Sequence, residues 1–108
     1  MAQVSVDPVA KTCDPNSVKA KSANATTVFQ IVQDATNAWV WQATPITFKN
    51  NPPTGCFTVT GGGDKNNVRV KSRNTQPGDA GTWTYSAFLK NTQTNATVTI
   101  DPEIVNEL

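Results

Sequence analysis

Apolar and polar positions alternate along most of this chain in short bursts, and clusters of Asp, Asn, Gly and Pro separate one burst from the next. Period-two alternation bounded by turn residues is the pattern of half-buried β-strands. Gln3–Val6 is the first such segment, ended by Asp7-Pro8, and a weaker one follows CDPNS at Val18–Lys21. Thr26–Gln33 (TTVFQIVQ) is a strong strand, with Phe29 and Ile31 on one face and Val28 and Val32 on the other. Asp34–Asn37 makes a turn, and Ala38–Gln42 (AWVWQ) then sets Trp39 and Trp41 on one face opposite Val40.

Ile46–Lys49 (ITFK) comes directly after Pro45, which interrupts a central strand and predicts a kink or a crossing to a second sheet there. After the loop Asn50–Gly55, strands are expected at Cys56–Thr60, Val68–Arg73, Thr82–Leu89 and Ala96–Ile100. No 3.6-residue apolar period persists for three turns, so little or no helix is predicted. The tail DPEIVNEL is expected to be extended, with Ile104 and Val105 packing on the core beyond the break at Asp101-Pro102. At 108 residues with no repeat or linker, these segments predict a single domain spanning 1–108. The expected fold is an all-β, two-sheet Greek-key sandwich of seven to eight strands.

In Gly81–Lys90 (GTWTYSAFLK), Trp83, Tyr85, Ala87 and Leu89 share a face, with Thr82, Thr84 and Ser86 opposite. This resembles the penultimate strand of the cupredoxins, the blue-copper β-sandwiches, in which a Gly-Thr-aromatic-x-aromatic strand runs into a loop of metal ligands. Upstream, TTVFQIVQDATNAWVWQATPITFK is similar to that family's strand, turn and strand ending in Trp. The likeness covers Thr26–Lys49 and Asn67–Ile100, and because Ig-like sandwiches share the rhythm, the fold it implies is cupredoxin-like or Ig-like. A blue-copper site needs two imidazoles and a thiolate. Here Ala87 stands at the family's cysteine position, Lys90 falls near the loop histidine, and Thr44-Pro45 occupies the place of the first histidine. With no histidine in the chain and Met1 its only methionine, the copper does not carry over, and no cofactor is expected.

The missing histidine also removes Ser-His-Asp and Cys-His machinery and imidazole-bound zinc. Five of the six aspartates adjoin Pro or Gly, where Asp serves the backbone of a turn, so Asp64 and Asp79 are weak candidates for a hydrolytic pair and no enzyme is expected. A net charge of +1 gives no bulk attraction to nucleic acid or anionic lipid, and no apolar run approaches the roughly 20 residues of a membrane span. The start MAQVSVDPVAK has no secretory signal, so the protein is either intracellular or had a leader removed. A secreted, periplasmic or virion-associated location is favoured over the cytoplasm. Cys13 and Cys56 are the disulfide candidates; paired, they would close a loop worth about 4 kcal/mol in the chain-entropy model, and the alternative is two buried thiols in a reducing compartment.

Three features could carry a function. The alternation favours the core for Trp41 and Trp83 and for Trp39 too, but Trp39, near the start of its strand, is the indole best placed to remain exposed and stack on a sugar ring. Arg69, Lys71 and Arg73 lie on one face at period two; they could meet phosphates, but no aromatic residue interleaves to stack bases. The same stripe suits an edge or outer strand kept soluble by charge. Gly61-Gly62-Gly63-Asp64-Lys65 fits no phosphate-binding motif and reads as a flexible, accessible hairpin loop. The expected function is a non-catalytic structural or binding module acting through its surface, without metal. Its partner is a protein (a second copy or a surface partner) or a glycan held at Trp39 and neighbouring loops, with no nucleic acid and no membrane insertion.

Overall fold

The computed structural model describes residues Ala2–Glu107; Met1 and Leu108, the ends of the expected domain and tail, lie outside them. Ten strands form among the described residues: β1 (Ala2–Asp7), β2 (Thr12–Asp14), β3 (Ser17–Ala20), β4 (Ala25–Ile31), β5 (Trp39–Phe48), β6 (Phe57–Thr60), β7 (Val68–Ser72), β8 (Gly81–Asn91), β9 (Thr97–Ile100) and β10 (Glu103–Asn106). Among the same residues the one helical element is a 3₁₀ turn at Pro77–Asp79. Two five-stranded mixed sheets result, a nearly all-β architecture of the sandwich type. The first has the order β2-β1-β4-β7-β6, the second β3-β10-β8-β5 with β9 also on β8. The parallel pairs are β1 with β4 and β10 with β3.

β8 is the spine of the second sheet. Its first residues pair with β10 and its later ones with β9, while β5 runs along the opposite edge. Alternation then does what period two requires. Tyr85, Ala87 and Leu89 turn inward and are fully buried, and Lys90 turns out. From the first sheet, Val4, Val6, Phe29, Val68 and Val70 meet Trp41, Tyr85, Leu89 and Ile104 of the second with no exposed surface. Fully burying each such side chain contributes about 1.5–3 kcal/mol. Phe29 meets the edge of Tyr85 at 5.5 Å, and Phe48 stacks on Phe57 at 3.9 Å where β5 and β6 close one side.

Several expectations change. Pro45 neither ends its strand nor sends it to the other sheet: β5 stays on β8 throughout, with a register shift between Trp41 and Ile46. Trp41 faces Leu89 and Ile46 faces Ala87, so Gln42–Pro45 bulge out opposite Phe88 alone. The tail is extended as expected, but β10 lies inside the second sheet rather than leaning on it. β7 is not an edge, since β4 and β6 flank it; only its outer face meets solvent. Cys13 and Cys56 are not paired: both are buried free thiols. Cys13 sits on β2 and Cys56 just before β6, at opposite edges of one sheet. Four interstrand steps of about 4.8 Å separate them by roughly 19 Å, against the 7 Å or less between Cα atoms that a disulfide needs.

Candidate functional site

On the outer face of the second sheet, the β5 bulge borders a shallow groove that is open to solvent. One hollow of about 690 Å³ is lined by Val40, Trp41, Gln42, Ala43, Gly63, Lys90, Thr92, Asn95 and Thr97. A second, of about 460 Å³, is lined by Gln42, Ala43, Thr44, Thr47 and Phe88. They share Gln42 and Ala43 and so adjoin across the bulge. Thr44 and Lys90, two of the positions that the resemblance assigns to metal ligands, both border this groove.

Local hydrogen bonds fix each wall. The Gly61–Asp64 segment, the glycine-rich loop between β6 and β7, is tied to β5 by two backbone hydrogen bonds. Gly63 N–H donates to the Gln42 carbonyl at 3.1 Å and Trp41 N–H to the Asp64 carbonyl at 2.7 Å. Gly62 sits so close to the bulge that a Cβ there would stand 2.9 Å from Pro45 Cδ and 3.0 Å from the Ala43 carbonyl oxygen. Its φ of +127° is one that side-chain-bearing residues rarely adopt. At the floor, the Gln42 side-chain amide donates to the Leu89 carbonyl at 3.1 Å.

The far wall is the β8–β9 turn, held by buried Asn91. The Asn91 side-chain oxygen accepts from Gln93 N–H and Thr94 N–H, while its amide donates to Thr36 Oγ1 at 2.9 Å. Thr92 N–H donates to the Ala38 carbonyl, tying the turn to the start of β5.

The groove is electrostatically simple. No carboxylate lines either hollow among the described residues, and exposed Lys90 is in no ion pair among them. The acid further along this face, Asp101, is occupied by Lys49 at 2.8 Å and by Ser86 Oγ at 2.6 Å, and these contacts hold its carboxyl below the usual range. Among the described residues no three His, Cys, Asp or Glu side chains cluster.

The residues singled out from the sequence are dispersed. Trp39 is 6% exposed and Trp41 fully buried, so neither offers an open ring; the Gln33 side chain binds both backbone groups of Trp39, at 2.7 and 3.0 Å. Trp83 is half-buried and donates to the Asp79 carbonyl at 3.0 Å. Arg69 and Lys71 are exposed on the outer face of the first sheet, across the sandwich from the groove. Arg73 leaves their stripe and grips Asp79 in a two-pronged pair at 2.9 and 2.7 Å.

Asp79 has no exposed surface and also accepts from Thr75 and Gln76 N–H. The Arg73 hydrogen bonds above all, then those backbone donors, hold it well below the usual carboxylate range against the opposing effect of burial. Beside it, Asn106 of β10 donates to the Asp79 carbonyl at 2.9 Å and contacts Cys56 Sγ at 3.7 Å. Burial, reinforced by Asp79, pushes the Cys56 thiol up to about 11, so little thiolate forms at neutral pH. This cluster is a latch that joins β7, the 3₁₀ turn and β10. Asp64 precedes β7 and Arg73 follows it, so roughly 17 Å of strand, at about 3.4 Å per residue, keeps Asp64 and Asp79 from acting as a pair.

No protein-family model matches this chain, and no curated protein is detectably similar to it.

Proposed function

We propose that this protein is a non-catalytic binding module that holds its partner in the groove on the outer face of the second sheet. The observation that carries the reading is the groove itself, two adjoining hollows whose walls are pinned by backbone hydrogen bonds from the Gly61–Asp64 segment and by the Asn91 turn. Concave sites with a few fixed polar groups are where proteins hold ligands. The polar groups here bind rather than react: threonine hydroxyls, side-chain amides and one lysine. The resemblance to the cupredoxins extends the proposal to ancestry, with a blue-copper frame in which Thr44 and Lys90 border the groove while Ala87, at the cysteine position, is packed in the core.

The test is a backbone amide NMR titration of the full chain against oligosaccharides and short peptides. Shifts gathered at Val40–Thr44 and Phe88–Thr97 support the groove. Shifts confined to the Arg69 and Lys71 face, or none with any ligand, overturn it.

A second reading, self-assembly, is favoured by the β9 edge. Asn91 N–H bonds to the Ala96 carbonyl, so alternation leaves the main-chain groups of Thr97 and Thr99 pointing away from β8. An uncharged, β-branched edge of this kind can pair with another copy. Thr99→Pro removes an outward N–H while sparing the β8 ladder. It should abolish any concentration-dependent dimer seen by sedimentation, and a chain that stays monomeric at millimolar concentration refutes this reading.

A further inference from the structure

Within the groove, one side chain breaks the pattern of its strand. The outer face of β8 reads Thr82, Thr84, Ser86 and then Phe88, an aromatic ring on the polar side. Phe29, Phe48 and Phe57 all pack against other rings of the core, and Phe88 takes part in none of those pairs. It is half-buried and lines the second hollow beside the Thr44 and Thr47 hydroxyls. One stagger further along β8 stands Lys90, about 7 Å away at the usual strand rise. It is exposed, borders the first hollow and has no acidic partner among the described residues.

We infer that the groove takes an acidic glycan, a chain of hexopyranosides bearing carboxylates, with one ring lying on Phe88 and its carboxylate at Lys90. This deepens the binding reading above and rests on it. A pyranose ring presents a face of C–H groups that an aromatic side chain covers, and its edge of hydroxyls needs the hydroxyl and amide partners that Thr44, Thr47 and Gln42 supply. A neutral glycan leaves Lys90 without a counter-charge, whereas a carboxylate on the ring beside Phe88 falls within the reach of its ammonium group. A nucleic acid strand would need several cations along its path, and the groove has one.

The test is calorimetric and NMR titration of the full chain with a galacturonate hexamer and with the same hexamer fully methyl-esterified, which keeps the rings and removes the charge. The acid form should bind five- to tenfold more tightly, the scale of one charge-assisted hydrogen bond at a partly solvated site. Lys90→Gln should bring both oligomers to the affinity of the ester, and Lys90→Arg should restore the preference. Phe88→Ala should abolish binding of both, and Phe88→Tyr should retain it, with circular dichroism verifying that each variant is folded. Equal affinity for the two oligomers, unmoved by Lys90→Gln, overturns the acidic ligand and leaves the groove as a glycan site. Groove amides that shift with neither hexamer overturn the glycan altogether, while shifts with peptides would still uphold the groove. Shifts gathered on the Arg69 and Lys71 face place the ligand across the sandwich and refute both readings.

Discussion

Gly62→Ala probes how the groove is built without touching any ligand. Two costs follow from the geometry. At φ +127° the backbone lies in a region that is essentially glycine's, worth about 1–3 kcal/mol of strain for any other residue. The new methyl would also stand 2.9 Å from Pro45 Cδ and 3.0 and 3.1 Å from the carbonyl oxygens of Ala43 and Gln42. Two of these three neighbours are backbone, so the loop must lift away, at a cost of about 1–3 kcal/mol more. Gly81 separates the two effects, because its φ is +132° and no atom of the described residues lies within 4 Å of a Cβ placed there. Gly81→Ala therefore carries the backbone cost alone. Urea unfolding should find Gly62→Ala less stable than Gly81→Ala by about 1–3 kcal/mol. Its melting temperature should fall below that of Gly81→Ala by roughly 5 °C per kcal/mol. Amides of Gln42, Ala43 and Lys90 should shift in the Gly62 variant and stay in place in the Gly81 variant. Equal losses of stability in the two would refute the close seating of this loop on the bulge.

Asp79→Asn should destabilise the fold near neutrality, and the gap from the parent should close in acid. The depressed folded pKa gives Asp79 a stabilising effect that is present above the ordinary carboxylate pKa near 4 and lost as the pH falls through the lower folded value. Urea midpoints of both proteins between pH 7 and pH 2 check this, and a gap that does not change with pH refutes it. Tyr85→Phe should leave stability unchanged or raise it by about 1 kcal/mol, because the buried Tyr85 hydroxyl has no hydrogen-bond partner among the described residues while its ring keeps the edge contact with Phe29. A loss above about 1 kcal/mol in urea would show that the hydroxyl is bonded. Cys13 and Cys56 are both pushed up to about 11, chiefly by burial. Intact mass should therefore be the same with and without reductant, and a thiol reagent should modify both residues on unfolding and neither before it.

The strands were legible wherever one face is apolar. Val4 and Val6, Phe29, Trp39 and Trp41, Val68 and Val70, and Tyr85 with Leu89 recur at period two on the inner face, and all are buried. What the pattern hid are strands that owe their place to something other than apolar burial. β2 has three residues and one inward side chain, Cys13. β10 turns Ile104 and Asn106 inward, and Asn106 is polar because it bonds the Asp79 carbonyl and faces Cys56. A strand whose second core position is an amide looks like a tail. The three glycines misled in the opposite direction. A run of Gly reads as slack, yet here each φ is positive and the middle glycine is the only residue type that fits against Pro45.

The groove left one mark in the sequence, and it is a fault in the same alternation that revealed the core. Thr82, Thr84 and Ser86 lead the outer face of β8, and Phe88 follows where a polar residue would continue the series. Apolar residues on the wet side of a sheet are common singly. What distinguishes Phe88 is placement, since the β5 bulge lies directly opposite it, between Trp41–Leu89 and Ile46–Ala87. The bulge therefore does two things at one point. It interrupts the ladder at β5, an edge strand, where Trp41 and Gln42 are already covered by Asp64 and Gly63. It also raises Gln42–Thr44 beside an aromatic ring that would otherwise lie on a flat sheet. Pro45 is the residue that such an edge bulge tolerates and a central strand does not. A proline that reads as an interruption of structure is thus part of what builds the site.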